Sequence, residues 1–177
     1  ACLMRILIFN WRDIKNPSSG GAEILTHEIA KYLVKKKNKV TLFTSRFRGS
    51  SEIEDLDGVT IIREGNSIAR YVFRSVHFLA YKRYKKYFEG KVDLVIDEVH
   101  GLPFFTPWYV KEKKVALVCE VAGNLWIKMF GLFFGTIGRI MEIFYLRFTY
   151  SAIPFITISN SAETDLIRNG VNRKNIT

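Results

Sequence analysis

Two adjacent glycines, Gly20 and Gly21, stand where a polar loop gives way to a helical pattern beginning with Ala22 and Glu23. Such glycines bring unshielded backbone N–H groups to a helix N-terminus, where unpaired donors and the helix dipole attract phosphate or carboxylate. The sequence therefore predicts an anion-binding turn here, and a tight turn without a ligand is the alternative. The spacing matches neither the dinucleotide-binding glycine pattern nor the nucleoside-triphosphate loop, so neither ligand is supported.

A second group of polar side chains comes directly after two apolar runs that have the composition of buried strands. These residues are Asp97, Glu98, His100 and Glu120. In an open α/β sheet, side chains just past the carboxyl ends of parallel strands line the ligand crevice. We therefore expect this group to face the glycine turn, although loops are generally polar.

The elements that would position these residues follow from the apolar periodicity. Six runs predict strands: Met4–Asn10, Val40–Thr44, Val59–Ile62, Val92–Ile96, Val115–Val118 and Phe155–Ile158. Helices are predicted from Ala22, over Ile68–Phe88, over Trp126–Tyr150 and over Ser161–Arg168, the last with Asn160 and Glu163 as a capping box. Arg46–Gly58 reads as polar and turn-rich. Strands alternating with helices predict a Rossmann-like, doubly wound parallel sheet with helices on both faces, in one domain over residues 1–177.

Composition limits the partners and the location. The net charge of +10 favours phosphorylated ligands, acidic lipid or nucleic acid, and it also fits a plain solubilising surface. No run of about 18 uncharged apolar residues predicts a membrane span, the nearest being Met129–Gly138. A signal peptide of ordinary layout is lacking, and Cys2 and Cys119 show no metal or redox spacing, so a cytoplasmic location is expected.

Two predicted helices raise the question of a membrane. Ile68–Phe88 interleaves basic residues with tyrosines, which suits either an anionic membrane surface or an ordinary solvated helix. Trp126–Tyr150 is apolar and aromatic on more than one face. Packing on the sheet is the favoured interpretation, and a ridge that dips into a bilayer or grips a lipid-linked substrate is the competing one.

Several stretches carry a resemblance to a known family, in family order across essentially the whole chain. They are Met4–Ile8, Gly20–Glu23, Leu102–Pro107, Ala122–Trp126, and Ile156–Ser161 through Asp165–Ile167. With them the chain resembles the N-terminal, acceptor-side domain of a GT-B glycosyltransferase similar to family 4. The combination of the Gly-Gly-Ala-Glu turn with the Ser159-Asn160-Ser161 strand end is the specific part of this resemblance.

The resemblance implies a retaining, metal-independent transfer of a sugar from a nucleotide-sugar to an acceptor hydroxyl, without a cofactor. The turn at Gly20 and Gly21 would approach the donor pyrophosphate and the acceptor. Donor-phosphate or substrate contacts are assigned to Gly20, Gly21, Ala22, Glu23, Asp97, Glu98 and Ser159. A C-terminal domain, absent from this chain, would hold the nucleotide, and the isolated chain is then expected to be inactive.

One position departs from the family pattern. Many relatives carry a histidine after the fifth strand, where this chain has Cys119 and Glu120. Glu120 and His100 are therefore the catalytic candidates: Glu120 would orient the acceptor or stabilise positive charge on the sugar carbon, and His100 would add a polar contact. For both, a solvated loop residue is the alternative.

Two rival functions stay open from the sequence. One is half of a sugar-nucleotide epimerase, which shares the architecture. The other is a non-catalytic basic module that binds membrane or nucleic acid. For the transferase we expect a glycan, lipid-linked or small-molecule acceptor, no nucleic acid, and a cytoplasmic location that extends to peripheral contact with the inner face of the cell membrane.

Overall fold

The computed structural model describes residues 3–66 and 72–177 and contains a seven-stranded sheet. Its strands are β1 Arg5–Phe9, β2 Lys39–Thr44, β3 Ile53–Leu56, β4 Val59–Arg63, β5 Leu94–Glu98, β6 Lys113–Val118 and β7 Phe155–Thr157. They lie in the order β3-β4-β2-β1-β5-β6-β7, and every neighbouring pair is parallel except β3 with β4. The predicted α/β class and largely parallel sheet are therefore confirmed.

Within the described residues, four α-helices pack around this sheet. They are α1 Gly21–Lys35, α2 Val76–Arg83, α3 Leu125–Phe144 and α4 Asn160–Arg168. Single π-helical turns, Tyr84–Phe88 and Tyr145–Thr149, extend α2 and α3, and 3₁₀ turns occupy Val72–Arg74, Thr106–Trp108 and Arg173–Asn175. The helices lie on both faces of the sheet, as the sequence predicts.

The core has two faces because alternate residues of each strand point to opposite sides of the sheet. On one face Leu7 and Phe9 of β1 pack with α2. On the other face Ile6 and Ile8 pack with α1. A third cluster, between β6, β7 and α4, holds Tyr145 from the turn after α3. Burial of β1 on both faces explains its nearly unbroken apolar sequence.

The prediction that Arg46–Gly58 is only a turn-rich loop is wrong, because β3 forms there and pairs antiparallel with β4. Asp57 and Gly58 make the connection, and both have positive φ, 56° and 80°. An Asp-Gly pair is the sequence signal for such a two-residue hairpin turn. A buried Arg63, bonded to Asp13 at 2.7 Å and to Glu54 of β3 at 2.8 Å, ties the edge hairpin to the loop after β1.

Two predicted helix starts also need correction. The helix predicted over Ile68–Phe88 begins at Val76, where the Ser75 hydroxyl accepts a hydrogen bond from the N–H of Phe78 at 3.2 Å. Residues 68–71 of that prediction lie outside the described residues. At α4 the N-cap is Ser159 instead of Asn160, and its hydroxyl accepts from the N–H of Ala162 at 3.1 Å.

The interpretation of 126–150 as one helix packed on the sheet is wrong. Gly131 has φ 74° and ψ 177°, which breaks α3 into two arms, 125–130 and 132–144. A Cβ added to Gly135 would lie 2.4 Å from the Cα of Ile127, and one added to Gly138 would lie 2.5 Å from the Trp126 ring. The second arm therefore folds back against the first, and we call residues 125–144 the α3 hairpin.

The hairpin leaves most of its apolar side chains in solvent. Within α3, which the structure describes in full, Gly135, Gly138 and Glu142 are the buried residues. By length and composition alone, Leu125–Thr149 qualifies as a candidate membrane span, so the expectation of no such segment is corrected. The reversal at Gly131 divides this segment, and its longer part, the second arm together with the π-helical turn after it, 132–149, reaches about 27 Å, short of the ~30 Å hydrocarbon core.

Candidate functional site

The two carboxylates expected beyond β5 belong to the strand itself, which extends to Glu98. Both are fully buried, on opposite faces. Asp97 accepts hydrogen bonds from the N–H groups of Phe104 and Thr106, from the Thr106 hydroxyl at 2.7 Å and from the Tyr150 hydroxyl. Asp97 therefore anchors the loop after β5 and the end of the third helix, and the prediction that it follows the strand is wrong.

A crevice of about 380 Å³ lies at the carboxyl ends of the strands, beside the β1–β5 pair where the strand order reverses. One wall is the turn of Gly20, Gly21, Ala22 and Glu23 at the start of α1. The other wall carries His100, Cys119 and Glu120 from the ends of β5 and β6. This is the place in open α/β sheets where ligands bind.

The glycine turn is stabilised by a buried carboxylate on one side and is exposed to solvent on the side that faces the crevice. The Glu23 carboxylate accepts a hydrogen bond from the N–H of Gly20 at 2.6 Å, which satisfies one donor at the helix start. Glu23 is buried, whereas Gly20 and Gly21 are exposed. A Cβ added to Gly21 would meet no atom within 4 Å, so this residue borders free space. The role of Glu23 at this turn is thus to support the backbone that faces the crevice.

Glu98 lies behind the crevice wall without a hydrogen-bond partner for either oxygen among the described residues. Burial raises its pKa to about 8, and the negative charges of Glu23 and Asp97 add to this while Arg12 opposes it. At pH 7 Glu98 is therefore largely protonated. Its neutral form leaves the crevice less negative than its carboxylate count suggests.

His100 and Glu120 face each other across the second wall. The Nδ1 atom of His100 lies 3.9 Å from Oε1 of Glu120, and both side chains are exposed. Cys119, directly after β6, is half-buried, and burial raises the pKa of its thiol to about 12. The thiol stays protonated at neutral pH and is a poor nucleophile, which leaves Glu120 and His100 as the other polar side chains of this wall.

The structure brings together most of the residues that the sequence proposed for the site. Gly20, Gly21, Ala22, Glu23, His100 and Glu120 all line the crevice. Asp97 and Glu98 lie inside the sheet, and Ser159 caps α4, although Ile158 just before it reaches the crevice wall. Contact of the ligand with Ser159, Asp97 and Glu98 stays a prediction.

Sequence reasoning missed Arg12, the cation of the crevice. It lies in the loop after β1, and its guanidinium donates a hydrogen bond to the backbone oxygen of Ser18. The available signal was a basic residue at the carboxyl end of the first strand, opposite a glycine turn with anion-binding character. Arg12 supplies the positive charge that this turn lacks.

An apolar groove of about 560 Å³ lies next to the crevice, between the α3 hairpin and the loop after β1. Its walls include Trp11, Trp126, Met129, Phe130 and Met141. A smaller cavity, bordered by His100 and Glu120 on one side and Trp126 and Phe130 on the other, joins groove and crevice. The apolar groove therefore opens directly onto the polar wall.

Two polar side chains of the groove, His77 and Trp11, carry no charge, and Arg12 is the basic residue that also lines it. Burial lowers the pKa of His77 to about 4, so its ring is neutral at pH 7. The Trp11 indole N–H donates to the backbone oxygen of Leu102 at 2.8 Å. In the described ranges, 3–66 and 72–177, no three His, Cys, Asp or Glu side chains converge as a metal site.

Comparison with known proteins agrees with this geometry. The family model described as Glycosyltransferase Family 4 matches residues 19–177. The fold is that of the N-terminal half of GT-B glycosyltransferases. This chain therefore belongs to glycosyltransferase family 4.

Solved structures show the same fold at low sequence identity. A sucrose-phosphate synthase from Thermosynechococcus elongatus aligns at 13% identity over 93% of this chain and 44% of its own, with a TM-score of 0.67. HepE from Anabaena, in complex with UDP-glucose, aligns at 11% identity over 98% of this chain and 43% of its own, with a TM-score of 0.62. The chain thus spans less than half of either protein, and no curated protein sequence matches it.

Proposed function

We propose that this chain is the acceptor-side half of a retaining, metal-independent transferase that moves a sugar from a nucleotide-sugar to an acceptor hydroxyl. The observation that carries the proposal is the crevice in which the Gly20–Glu23 turn faces His100 and Glu120. Family membership supports this reaction over an epimerase half or a non-catalytic binding module. The UDP-glucose complex of HepE, a protein of the same fold, supports a nucleotide-sugar donor.

The residues of the crevice take distinct roles in this proposal. The exposed backbone of Gly20 and Gly21, with Arg12 beside it, receives the negatively charged phosphates. Glu120 orients the acceptor hydroxyl or stabilises the positive charge that develops on the sugar carbon. His100, 3.9 Å from Glu120, holds a polar contact with the substrate.

The donor side of the reaction needs protein that this chain does not supply. The crevice has one open side, since its walls come from the carboxyl ends of β1, β5 and β6 and from the start of α1. We infer that a second domain closes it and holds the nucleotide. On that basis the 177-residue chain alone is expected to bind donor poorly and to transfer no measurable sugar.

The apolar groove indicates the kind of acceptor. Its walls of tryptophan, methionine and phenylalanine continue from the wall that carries His100 and Glu120. An acceptor with a hydroxyl at one end and a hydrocarbon portion at the other would fill both spaces. We therefore favour a lipid-linked acceptor over a free glycan.

A donor screen on the full natural gene product tests the reaction. Nucleotide-sugars are incubated with a detergent extract of lipid acceptors, and release of nucleoside diphosphate is followed. We expect release with one donor only when acceptor is present, and a product whose anomeric configuration by NMR equals that of the donor. No release with any donor contradicts the transferase, an inverted anomer contradicts retention, and acceptor-independent conversion of the donor supports the epimerase.

A further inference from the structure

The tip of the α3 hairpin exposes a group of large apolar side chains. Leu132, Phe133 and Phe134 are 77%, 72% and 68% exposed, and they follow directly on the reversal at Gly131. Met129 and Phe130 continue the same exposed surface on the first arm. Contiguous apolar patches of this kind mark interaction sites, because exposing them to water is unfavourable.

The solvent-facing charges that the hairpin itself carries have one sign. Residues 125–149 carry Lys128, Arg139 and Arg147 as their basic residues and Glu142 as their single acid. Lys128 and Arg147 are exposed, whereas Glu142 is buried and accepts hydrogen bonds from the N–H groups of Ala122 and Gly123. Toward solvent the hairpin is therefore apolar with a basic margin, in a chain of net charge +10.

We propose that the α3 hairpin docks on an anionic lipid bilayer, with its tip among the acyl chains and its basic residues at the headgroups. An apolar surface bordered by cations is the pattern of interfacial helices. Each basic residue near such a surface adds attraction, and the acyl region receives Leu132, Phe133 and Phe134. The hairpin lies on the membrane and does not cross it, because the chain reverses at Gly131.

Charge argues for a bilayer over a second copy of this chain. A symmetric dimer through the hairpin would bring the basic margins of two copies together, each copy carrying +10. An anionic membrane neutralises these charges. The apolar groove opens at Met129 and Phe130, so docking would place its mouth at the lipid surface.

This inference stands apart from the proposed reaction, since it concerns a surface and not the chemistry of the crevice. Vesicle binding can therefore fail while nucleotide-sugar transfer is observed, and the reverse also holds. Docking would give a cytoplasmic enzyme at the inner face of the membrane.

Vesicle co-sedimentation of the full natural gene product tests the proposal. The vesicles contain phosphatidylcholine alone or with 30% phosphatidylglycerol. The variant Phe133→Ser/Phe134→Ser removes two large apolar side chains from the tip of the hairpin. Ile24→Ser/Tyr32→Ser is the matched control, because Ile24 and Tyr32 are also apolar and exposed, 58% each, but lie on α1. All four side chains are exposed, so we expect melting temperatures near that of the wild type.

The wild type and the control pair are expected to bind the anionic vesicles more tightly than the neutral ones. The tip variant should bind at least tenfold more weakly, since two phenylalanines no longer leave water. Equal binding by the tip variant and the wild type would overturn the proposal. Failure of the wild type to bind vesicles would also overturn the proposal. If sedimentation velocity then shows a dimer of the wild type that the tip variant abolishes, the hairpin is a contact between two copies of the chain instead.

Discussion

At the scale of single residues, neighbouring carboxylates at the end of β5 have different environments. Asp97 receives four hydrogen bonds from the loop after the strand and from Tyr150. Glu98, on the other face, receives none from the described residues. Alternation of side chains along a strand explains this difference. Glu98 consequently lacks the hydrogen bonds that favour the ionised form of Asp97, and burial raises its pKa.

The variant Glu98→Gln tests the raised pKa of this residue. Because that pKa is about 8 when folded and 4.5 in the unfolded chain, the unfolded chain loses the proton at lower pH. Ionisation of Glu98 therefore lowers the free energy of unfolding as pH rises from 4.5 to about 8, and not above. The free energy of unfolding of Glu98→Gln, minus that of the wild type, should therefore rise by about 3 kcal/mol as the pH is raised from about 5 to about 7.5.

Urea unfolding of both proteins at several pH values measures this gain. Other titrating groups are common to the two proteins and cancel in the difference. A difference that does not change with pH would show that Glu98 titrates normally in the folded protein.

The variant Glu120→Gln tests the role of the crevice wall. The Glu120 side chain is 59% exposed, so its loss should change the free energy of unfolding by no more than about 0.5 kcal/mol. If its charge stabilises the transition state, kcat of the full natural gene product should fall about 10²-fold or more. Thermal melting and steady-state kinetics separate the two effects. Unchanged kcat would assign Glu120 to the solvated surface.

At the scale of elements, the α3 hairpin depends on glycines where its arms touch. Gly135 lies against the backbone of Ile127, where even a methyl group would be 2.4 Å from the Cα. The buried Glu142 holds the second arm to the loop after β6 by accepting from Ala122 and Gly123. The hairpin is thus stabilised by the close approach of its two backbones and by the hydrogen bonds of the buried Glu142 carboxylate.

The variant Gly135→Ala is expected to separate the two arms. The added Cβ would clash with backbone, which cannot move aside as a flexible side chain can. Limited proteolysis should then cut within residues 125–144 several times faster than in the wild type. Gly21→Ala is the matched control, because its Cβ meets no atom within 4 Å, and it should leave the cleavage rate unchanged. Equal cleavage of Gly135→Ala and wild type would contradict the hairpin.

Much of this element structure could be predicted from apolar periodicity. The buried strands and the start of α1 were identified because their patterns are local. The hairpin could not be predicted in this way, because a single glycine such as Gly131 is tolerated within a helix. The reversal is evident only from the contacts of Gly135 with Ile127 and of Gly138 with Trp126, which lie eight and twelve positions apart in the sequence. The extension of β5 to Glu98 also depends on contacts distant in sequence. A buried charged residue in a strand is unfavourable without hydrogen-bond partners, and those of Asp97 come from the loop after the strand and from Tyr150.

At the scale of the whole molecule, the sheet order explains how the site assembles. The strand order reverses beside β1, so the loops after β1, β5 and β6 meet at one edge with the start of α1. Sequence reasoning placed the glycine turn, His100 and Glu120 there because strand ends are readable from the chain. It missed Arg12 and the apolar groove, because these depend on how loops and the α3 hairpin pack in space.

The central claim is that substrate occupies the crevice beside the glycine turn, and a graded series at Gly21 tests it most directly. The full natural gene product is compared with Gly21→Ala and Gly21→Val for nucleotide-sugar transfer and thermal melting. We predict that melting changes little, since the Cβ enters free space, while kcat/KM falls with side-chain size, by about tenfold or more for valine. Full transfer activity in Gly21→Val would contradict the account.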